Sequence, residues 1–343
     1  MAILSVEKIY AVSKAILMKK NVPEQQAGII ADTIVDAHRK EKHTHGLGRL
    51  AIYIRKIDSG QMDADTKLTV VRDNPAVTVL DAHNGFGQVA AYQGMNLCID
   101  KASKYGVGIV GVRDSNSFGA AGYYGELAAQ RNMIGIVMGN SSQALAPEGG
   151  SKAILGTNPI CFSFPGTEKY PHIILDMACS VAARGKVRLA AKNGEKIPLD
   201  WAKDMNGNPT DNPEEALKGS MNSIGGYKGF GLAIAVDILA GLLTGSAFAD
   251  EVKALNTPIG FSRYGHFLCA VNPEFFIETE EYKLRIEHLV ESIKSCGDPG
   301  NIFMPGERGY KHSLKNKDTV QIKDTIINGV NDLANKLCVS ELC

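Results

Sequence analysis

The chain has 343 residues and is 44% hydrophobic, enough apolar side chain for one large or two ordinary domain cores, which excludes a disordered or fibrous protein. Lys plus Arg number 37 and Asp plus Glu 37, so the formal net charge is zero and no global field exists to recruit nucleic acid or an anionic membrane. The seven cysteines include no C-x-x-C pair, as expected of reduced thiols rather than a disulfide framework or zinc site, and the N-terminus lacks a signal-type apolar stretch, so the expected location is cytoplasmic.

Ser5 is placed to cap an opening helix carrying Ile9, Val12 and Ile16 on one face. Pro23 suits the first turn of a second helix with Ala27, Ile30, Ile34 and Ala37, so the chain is expected to start helical. HRKEKHTHGLGRLAIY, residues 38–53, stands at the end of that second helix. His45 can exchange a proton near neutral pH, Arg49 can hold a carboxylate by a bidentate fork, and Tyr53 is a further donor. Helical spacing predicts all three along one face. The alternatives are solvated polar residues near a helix end, or a metal site built on His38, His43 and His45.

Strand-like runs follow at 68–71, 76–82, 106–112, 134–140, 159–165 and 172–178, with helical segments between several of them, which predicts α/β architecture. GFGQVA at 85–90 matches G-x-G-x-x-A, and Asp114 ends the next strand about where an acid for a ribose is sought. In a dinucleotide fingerprint the first glycine follows the strand at once, whereas His83 and Asn84 intervene here, so a plain glycine-rich turn is the better reading. In SNSFGAAGYYG at 115–125, Asn116 and Ser117 either hydrogen-bond a ligand or cap the following helix. No Ser-x-x-Lys or G-x-S-x-G context activates Ser117 as a nucleophile.

The polar, turn-rich residues 188–217 are expected to form an excursion on the surface. GGYKGFG at 225–231 sets Lys228 among glycines, which suits an anion or is a turn with a solvated lysine; the Walker register is absent. The stretch from Gly229 to Ala249 is long enough to cross a bilayer, but Asp237 near its middle favours a buried core helix. Helices are expected from Glu278 to Gly297 and from about Asp324 to Leu337. Helices at both ends predict a discontinuous helical domain, residues 1–75 with 286–343, beside an α/β domain of residues 76–285.

Six ordered stretches together resemble the malate/L-lactate dehydrogenase family, which also includes ureidoglycolate dehydrogenase, sulfolactate dehydrogenase and 2,3-diketogulonate reductase. They are THGLGRLAIYIRKIDSG (44–60), SNSFGAAGYYG (115–125), APEGGSKAILGTNPICFSFP (146–165), LDMACSVAARGKV (175–187), GGYKGFGLAIAVDILAGLLTG (225–245) and PGER (305–308). The resemblance covers almost the whole chain. It implies a non-Rossmann α/β fold with a mixed sheet, NAD or NADP as cofactor, a homodimer or higher homo-oligomer, and a substrate that is a small 2-oxo or 2-hydroxy acid of malate, lactate or ureidoglycolate type.

The same resemblance implies cofactor contacts at Asn140, Asp176, Met177, Ala178, Cys179, Ser180, Tyr227, Lys228, Gly306, Glu307 and Arg308. Lys228 and Arg308 would offset phosphate charge, and Asp176 or Glu307 would receive hydroxyl donors. It implies Thr44, Arg49, Tyr53 and Asn116 at the substrate, with His45 and Ser117 at the catalytic positions. Where this chain has Ser117 the family typically has a histidine, in a stretch like SNHFG. A neutral serine hydroxyl is no base near pH 7. Either His45 transfers the proton, a water relays it past Ser117, or the chain is a catalytically impaired homologue that binds cofactor or metabolite.

Overall fold

The computed structural model describes residues 1–254 and 260–342. A short strand, β1 (Ala2–Ser5), precedes helices α1 (Val6–Met18) and α2 (Glu24–Arg39). Two 3-10 turns, His43–His45 and Leu47–Arg49, lead into α3 (Leu50–Asp58). There follow β2 (Thr69–Asp73), β3 (Val77–Asp81), α4 (Gly87–Tyr105), β4 (Val107–Ser115), α5 (Ala121–Ala129), β5 (Ile134–Gly139), β6 (Ile160–Phe164) and β7 (Ile173–Met177). Next come α6 (Arg184–Asn193), β8 (Ala202–Lys203), α7 (Pro213–Lys218), β9 (Ser220–Met221) and α8 (Tyr227–Asp237), which runs into a π-helical turn at Ile238–Leu242. The remainder holds β10 (Tyr264–Val271), α9 (Thr279–Lys294), α10 (Glu307–Lys315), β11 (Thr319–Ile322) and α11 (Asp324–Lys336).

Seven strands build one mixed sheet in the order β2-β3-β4-β10-β5-β6-β7. The β3/β4 pair is parallel and the other five pairs are antiparallel. All six strand-like runs enter this sheet. The seventh strand, β10, has no counterpart among the expected elements, yet it lies at the centre, bonded to β4 on one side and β5 on the other. Val110 and Val112 of β4 and Leu268 of β10 face Gly94 of α4, whereas a side chain at Gly111 would meet Thr244 just beyond the π turn. Helices α4 and α5 therefore cover one face, and α8 with its π turn packs on the other.

Three expectations need correction. The chain starts with a strand, because β1 finds an antiparallel partner in β11, with Ala2 opposite Ile322 and Ser5 opposite Thr319. Ser5 still caps α1, its hydroxyl accepting from the Lys8 N–H at 3.1 Å. Residues 188–217 are not a mere surface excursion, since Ala190, Ile197, Ala202 and Ala216 are buried in a satellite core with Leu145 and Met221. The stretch from Gly229 to Ala249 is only half buried: Ala233, Val236 and Asp237 point inward, while Leu232, Ile234, Ile238, Leu242 and Leu243 are exposed. Asp237 is accommodated because its carboxylate accepts from the Ala249 N–H at 2.9 Å. Among the described residues no helix is long and apolar enough to cross a membrane.

A second large core draws on both chain ends, joining Ile9, Ile16, Ile30 and Leu50 to Val320, Ile327 and Val330. Phe86 and Val89, at the start of α4, reach into it and so connect it to the sheet. Truncating the central strand's main anchor tests this architecture. Leu268→Ala is expected to cost about 2–5 kcal/mol, read as a lower urea midpoint at unchanged slope, whereas an unchanged midpoint would contradict the central placement of β10.

Candidate active site

The turn after α2 is held by two histidines. The Nε2 of buried His38 accepts from the Leu47 N–H at 2.9 Å, which leaves its proton on Nδ1. That Nδ1 lies 3.2 Å from His43 Nδ1 and donates to it, so neutral His43 carries its own proton on Nε2. The pair ties the 3-10 turns to α2 rather than converging with His45. Among the described residues no cluster of three His, Cys, Asp or Glu side chains is suited to a metal.

Gly46 has an extended backbone, φ −87° and ψ −152°, and interrupts the helix between the two 3-10 turns. His45, Arg49 and Tyr53 therefore do not share one helical face, which corrects the spacing argument. They meet around Arg49 all the same. The Arg49 Nε donates to the Thr44 carbonyl at 2.7 Å, and the Arg49 charge adds to the lowering of the His45 pKa and offsets part of the rise that burial gives Tyr53. Burial, reinforced by Arg49 and Lys42, pushes the His45 imidazole down to about 4 against the opposing pull of Asp176. His45 is thus neutral at pH 7.

Tyr53 is buried, with its hydroxyl accepting from Gln88 Nε2 at 2.7 Å and its ring set edge-on to Phe86. Burial raises its phenol pKa. Gln88 and Gly87 form the first turn of α4, and a side chain at Gly87 would stand 2.1 Å from the Asn116 carbonyl oxygen. Only glycine permits that approach. The N-terminus of α4 consequently faces the chain's own backbone, in keeping with a plain turn at GFGQVA. Asn116 is also buried and donates to the carbonyls of Asn84 at 2.8 Å and Gly85 at 3.0 Å. Lys56 Nζ donates to its Oδ1 at 3.0 Å. With its amide spent on these contacts Asn116 positions the turn, and half-buried Ser117 is the next residue.

Beside this centre runs a groove of about 560 Å³ whose lining includes Lys42, Gly122, Tyr170, Asp176, Gly306 and Arg308. Lys42 and Asp176 form an ion pair in its wall. A side chain at Gly122 would come within 2.9 Å of Asp176 Oδ2, so this small residue of SNSFGAAGYYG makes room for the carboxylate. The Arg308 guanidinium lies over the Phe303 ring at 4.6 Å.

The other expected cofactor residues divide. Met177 and Ala178 continue from Asp176, and buried Cys179 and Ser180 hydrogen-bond to the Asn158 and Ala182 carbonyls. Ser180 bridges to Ser223, four residues before the exposed Tyr227 and Lys228, so these two stand near the Cys179–Ser180 segment but do not line the groove. Asn140 spends its side chain on the Ala247 carbonyl and the Gly265 N–H. Glu307 does not line the groove either; its carboxylate is held by Lys294 and Lys311.

A family profile described as malate/L-lactate dehydrogenase matches residues 4–331. The L-sulfolactate dehydrogenase of Methanothermobacter thermautotrophicus is 37% identical over 338 residues, covering 98% of each chain. The malate/(S)-sulfolactate dehydrogenase of Methanothermus fervidus is 39% identical over 336 residues, again covering 98% of each. The solved sulfolactate dehydrogenase of Methanocaldococcus jannaschii superposes with a TM-score of 0.92 at 38% identity, covering 99% of this chain and 98% of that one. The chain belongs to the malate/L-lactate dehydrogenase family. It is an oxidoreductase of the dehydrogenase class.

In this dehydrogenase several site residues have no sequence signal of their own. Lys42 is one of two lysines just after α2 until Asp176 meets it. Gln88 hides inside the glycine pattern, although its buried Oε1, like His45 Nδ1, has no hydrogen-bond partner and is therefore available to a ligand. His266 lies fully buried behind Phe118, ring centroids 4.7 Å apart, and burial drives it down to about 3. The backbone carbonyls of Gly265 and Asn116 approach its ring without hydrogen-bond geometry.

The neutral histidines make the fold acid-sensitive. His38 and His45 are held near 4 and His266 near 3, against an ordinary 6.5. Between those values the unfolded chain binds protons that the folded one does not, so stability falls as pH drops. The urea midpoint is expected to decline from about pH 6.5 to about pH 4. His266→Leu should flatten that decline, and a variant slope equal to the wild-type slope would contradict the assignment.

Proposed function

We propose that this dehydrogenase interconverts a small 2-oxo acid and the matching 2-hydroxy acid, with NAD or NADP lying along the groove. The observation that carries this reading is the grouping of a neutral, half-buried His45 with Arg49 beside a groove large enough for a cofactor. Relatives named for malate and sulfolactate support acids of that type, and lactate- and ureidoglycolate-type acids belong to the same proposal. In the same reading residues 1–75 with 286–343 form the helical domain, residues 76–285 form the cofactor domain, and the chain works as a homo-oligomer.

Asp176, Gly306 and Arg308, which line the groove, would hold the cofactor, whose contribution when bound is a hydride donor and acceptor, and the Met177–Ser180 segment with Tyr227 and Lys228 would contact the part of it that extends beyond the groove. The fit is supported by the Arg308 guanidinium at the groove and by the unpartnered buried atoms His45 Nδ1 and Gln88 Oε1. Arg49, whose Nε is fixed on Thr44, turns its remaining N–H groups to the substrate carboxylate. Tyr53, anchored by Gln88, orients the same end. Neutral His45 accepts the 2-hydroxyl proton in oxidation, and an anion on Arg49 relieves the repulsion that keeps the imidazole unprotonated, readying it to return that proton in reduction.

Ser117 motivates a second reading, a homologue that binds cofactor or metabolite and turns over slowly. Three variants separate the two. His45→Asn should lower kcat by about 10² to 10⁴ with cofactor affinity retained, and Arg49→Leu should act mainly on substrate KM. Ser117→His that leaves an already active enzyme within a few-fold of wild type supports His45 as the acid/base, whereas a large recovery from near-zero activity supports the impaired reading. A wild-type protein that binds neither NADH nor NADPH and reduces no 2-oxo acid would end the proposal.

A further inference from the structure

Helix α6 begins against the His45 turn. A side chain at Gly185 would stand 3.1 Å from Thr44 Cγ2. The Arg184 guanidinium fixes that first turn, donating to the Gln143 carbonyl at 2.5 Å and the Leu217 carbonyl at 2.9 Å. Arg188 lies three residues on from Gly185, so it shares the face of α6 that looks at Thr44. Thr44 is also the residue whose carbonyl holds Arg49, so Arg49 and the helix face that carries Arg188 meet at one threonine.

Arg188 is an exposed residue whose guanidinium is partly desolvated; that desolvation and then the Arg49 charge lower its pKa, while the phenol of Tyr264 at the start of β10 acts in the opposite sense. Arg113, Arg263 and Arg285 each have a carboxylate partner, whereas Arg49 and Arg188 have none among the described residues. Two like charges without a counter-ion repel each other, and an anion between them relieves both. One carboxylate satisfies one fork. A second fork on the α6 face beside Thr44 fits a substrate with an anionic group at each end.

We propose that Arg188 is a specificity-determining residue that holds the second anionic group, carboxylate or sulfonate, of a dianionic 2-oxo acid whose 1-carboxylate is held by Arg49. This rests on the oxidoreductase reading above. A monoanionic acid such as pyruvate leaves Arg188 without its counter-ion, and the site selects against it for that reason.

The test compares oxaloacetate with pyruvate as substrates of the full chain with NADH and NADPH, in wild type, Arg188→Gln and Arg188→Lys. Arg188→Gln is expected to lower the oxaloacetate-to-pyruvate ratio of kcat/KM by about 10- to 100-fold, chiefly through KM for oxaloacetate, and Arg188→Lys to restore part of it. Thermal midpoints of the variants confirm that they fold. Calorimetric binding of malate and lactate supplies a readout independent of turnover. If wild type reduces neither acid yet binds malate better than lactate through Arg188, the oxidoreductase reading falls and the Arg188 assignment stands. If Arg188→Gln leaves both preferences unchanged, or weakens both acids equally, the assignment is overturned.

Discussion

Asn116 is the point on which the rest of the structure closes. Its side chain accepts from Lys56 of α3 and donates to the carbonyls of Asn84 and Gly85, while its own carbonyl lies where a side chain at Gly87 would have to be. One buried amide thereby ties the core shared by the two chain ends, the end of β4 and the start of α4 into a single joint. Lysine at this depth is costly, and burial brings Lys56 down to about 8. Its bonds to Asn116 and to the Ser262 hydroxyl offset that cost. The substrate-side residues sit around this joint, so their relative positions depend on backbone packing more than on loop conformation.

Charge is organised differently on the two sides of His45. Toward the groove, the lysines are paired inside the protein, Lys40 with Asp36 and Glu126 and Lys42 with Asp176, while Arg308 rests on the Phe303 ring. Toward α6, Arg49 and Arg188 have no such partners among the described residues. A groove wall whose lysines are internally neutralised can accept a long, partly apolar ligand without a large change in their ionisation, which leaves Arg308 to meet its charge. An uncompensated pair of arginines instead draws an anion to one spot and couples that binding to the imidazole between the two regions. His45 senses both sides, through Arg49 and Lys42 from one sign and Asp176 from the other.

Much of the framework is legible in the sequence because its strands are buried apolar runs, and the six found that way all pair in the sheet. β10 escapes notice because Gly265 and His266 interrupt the run that Phe267 to Val271 would otherwise announce. β1 and β11 escape because each is short and means nothing until the other arrives. At the site, residue types were readable where chemistry is intrinsic to the side chain, as for His45 and Arg49. Spacing misled over geometry, since Gly46 breaks the helix that the interval of four assumes. Gln88 takes its meaning from a contact made across the molecule, with Tyr53, and no local pattern carries that information.

The position of β10 has a consequence for how the chain comes into being. It is the only hydrogen-bonded link between β2-β3-β4 and β5-β6-β7 among the described residues, yet it lies at residues 264–271 of 343. During synthesis the inner edges of β4 and β5 therefore emerge early and wait, each an open ladder of backbone donors and acceptors, until roughly three quarters of the chain has been made. That interval is when this protein is most exposed to pairing with the wrong partner, and a nascent chain stalled before β10 would present two sticky edges where the finished molecule has none at its centre.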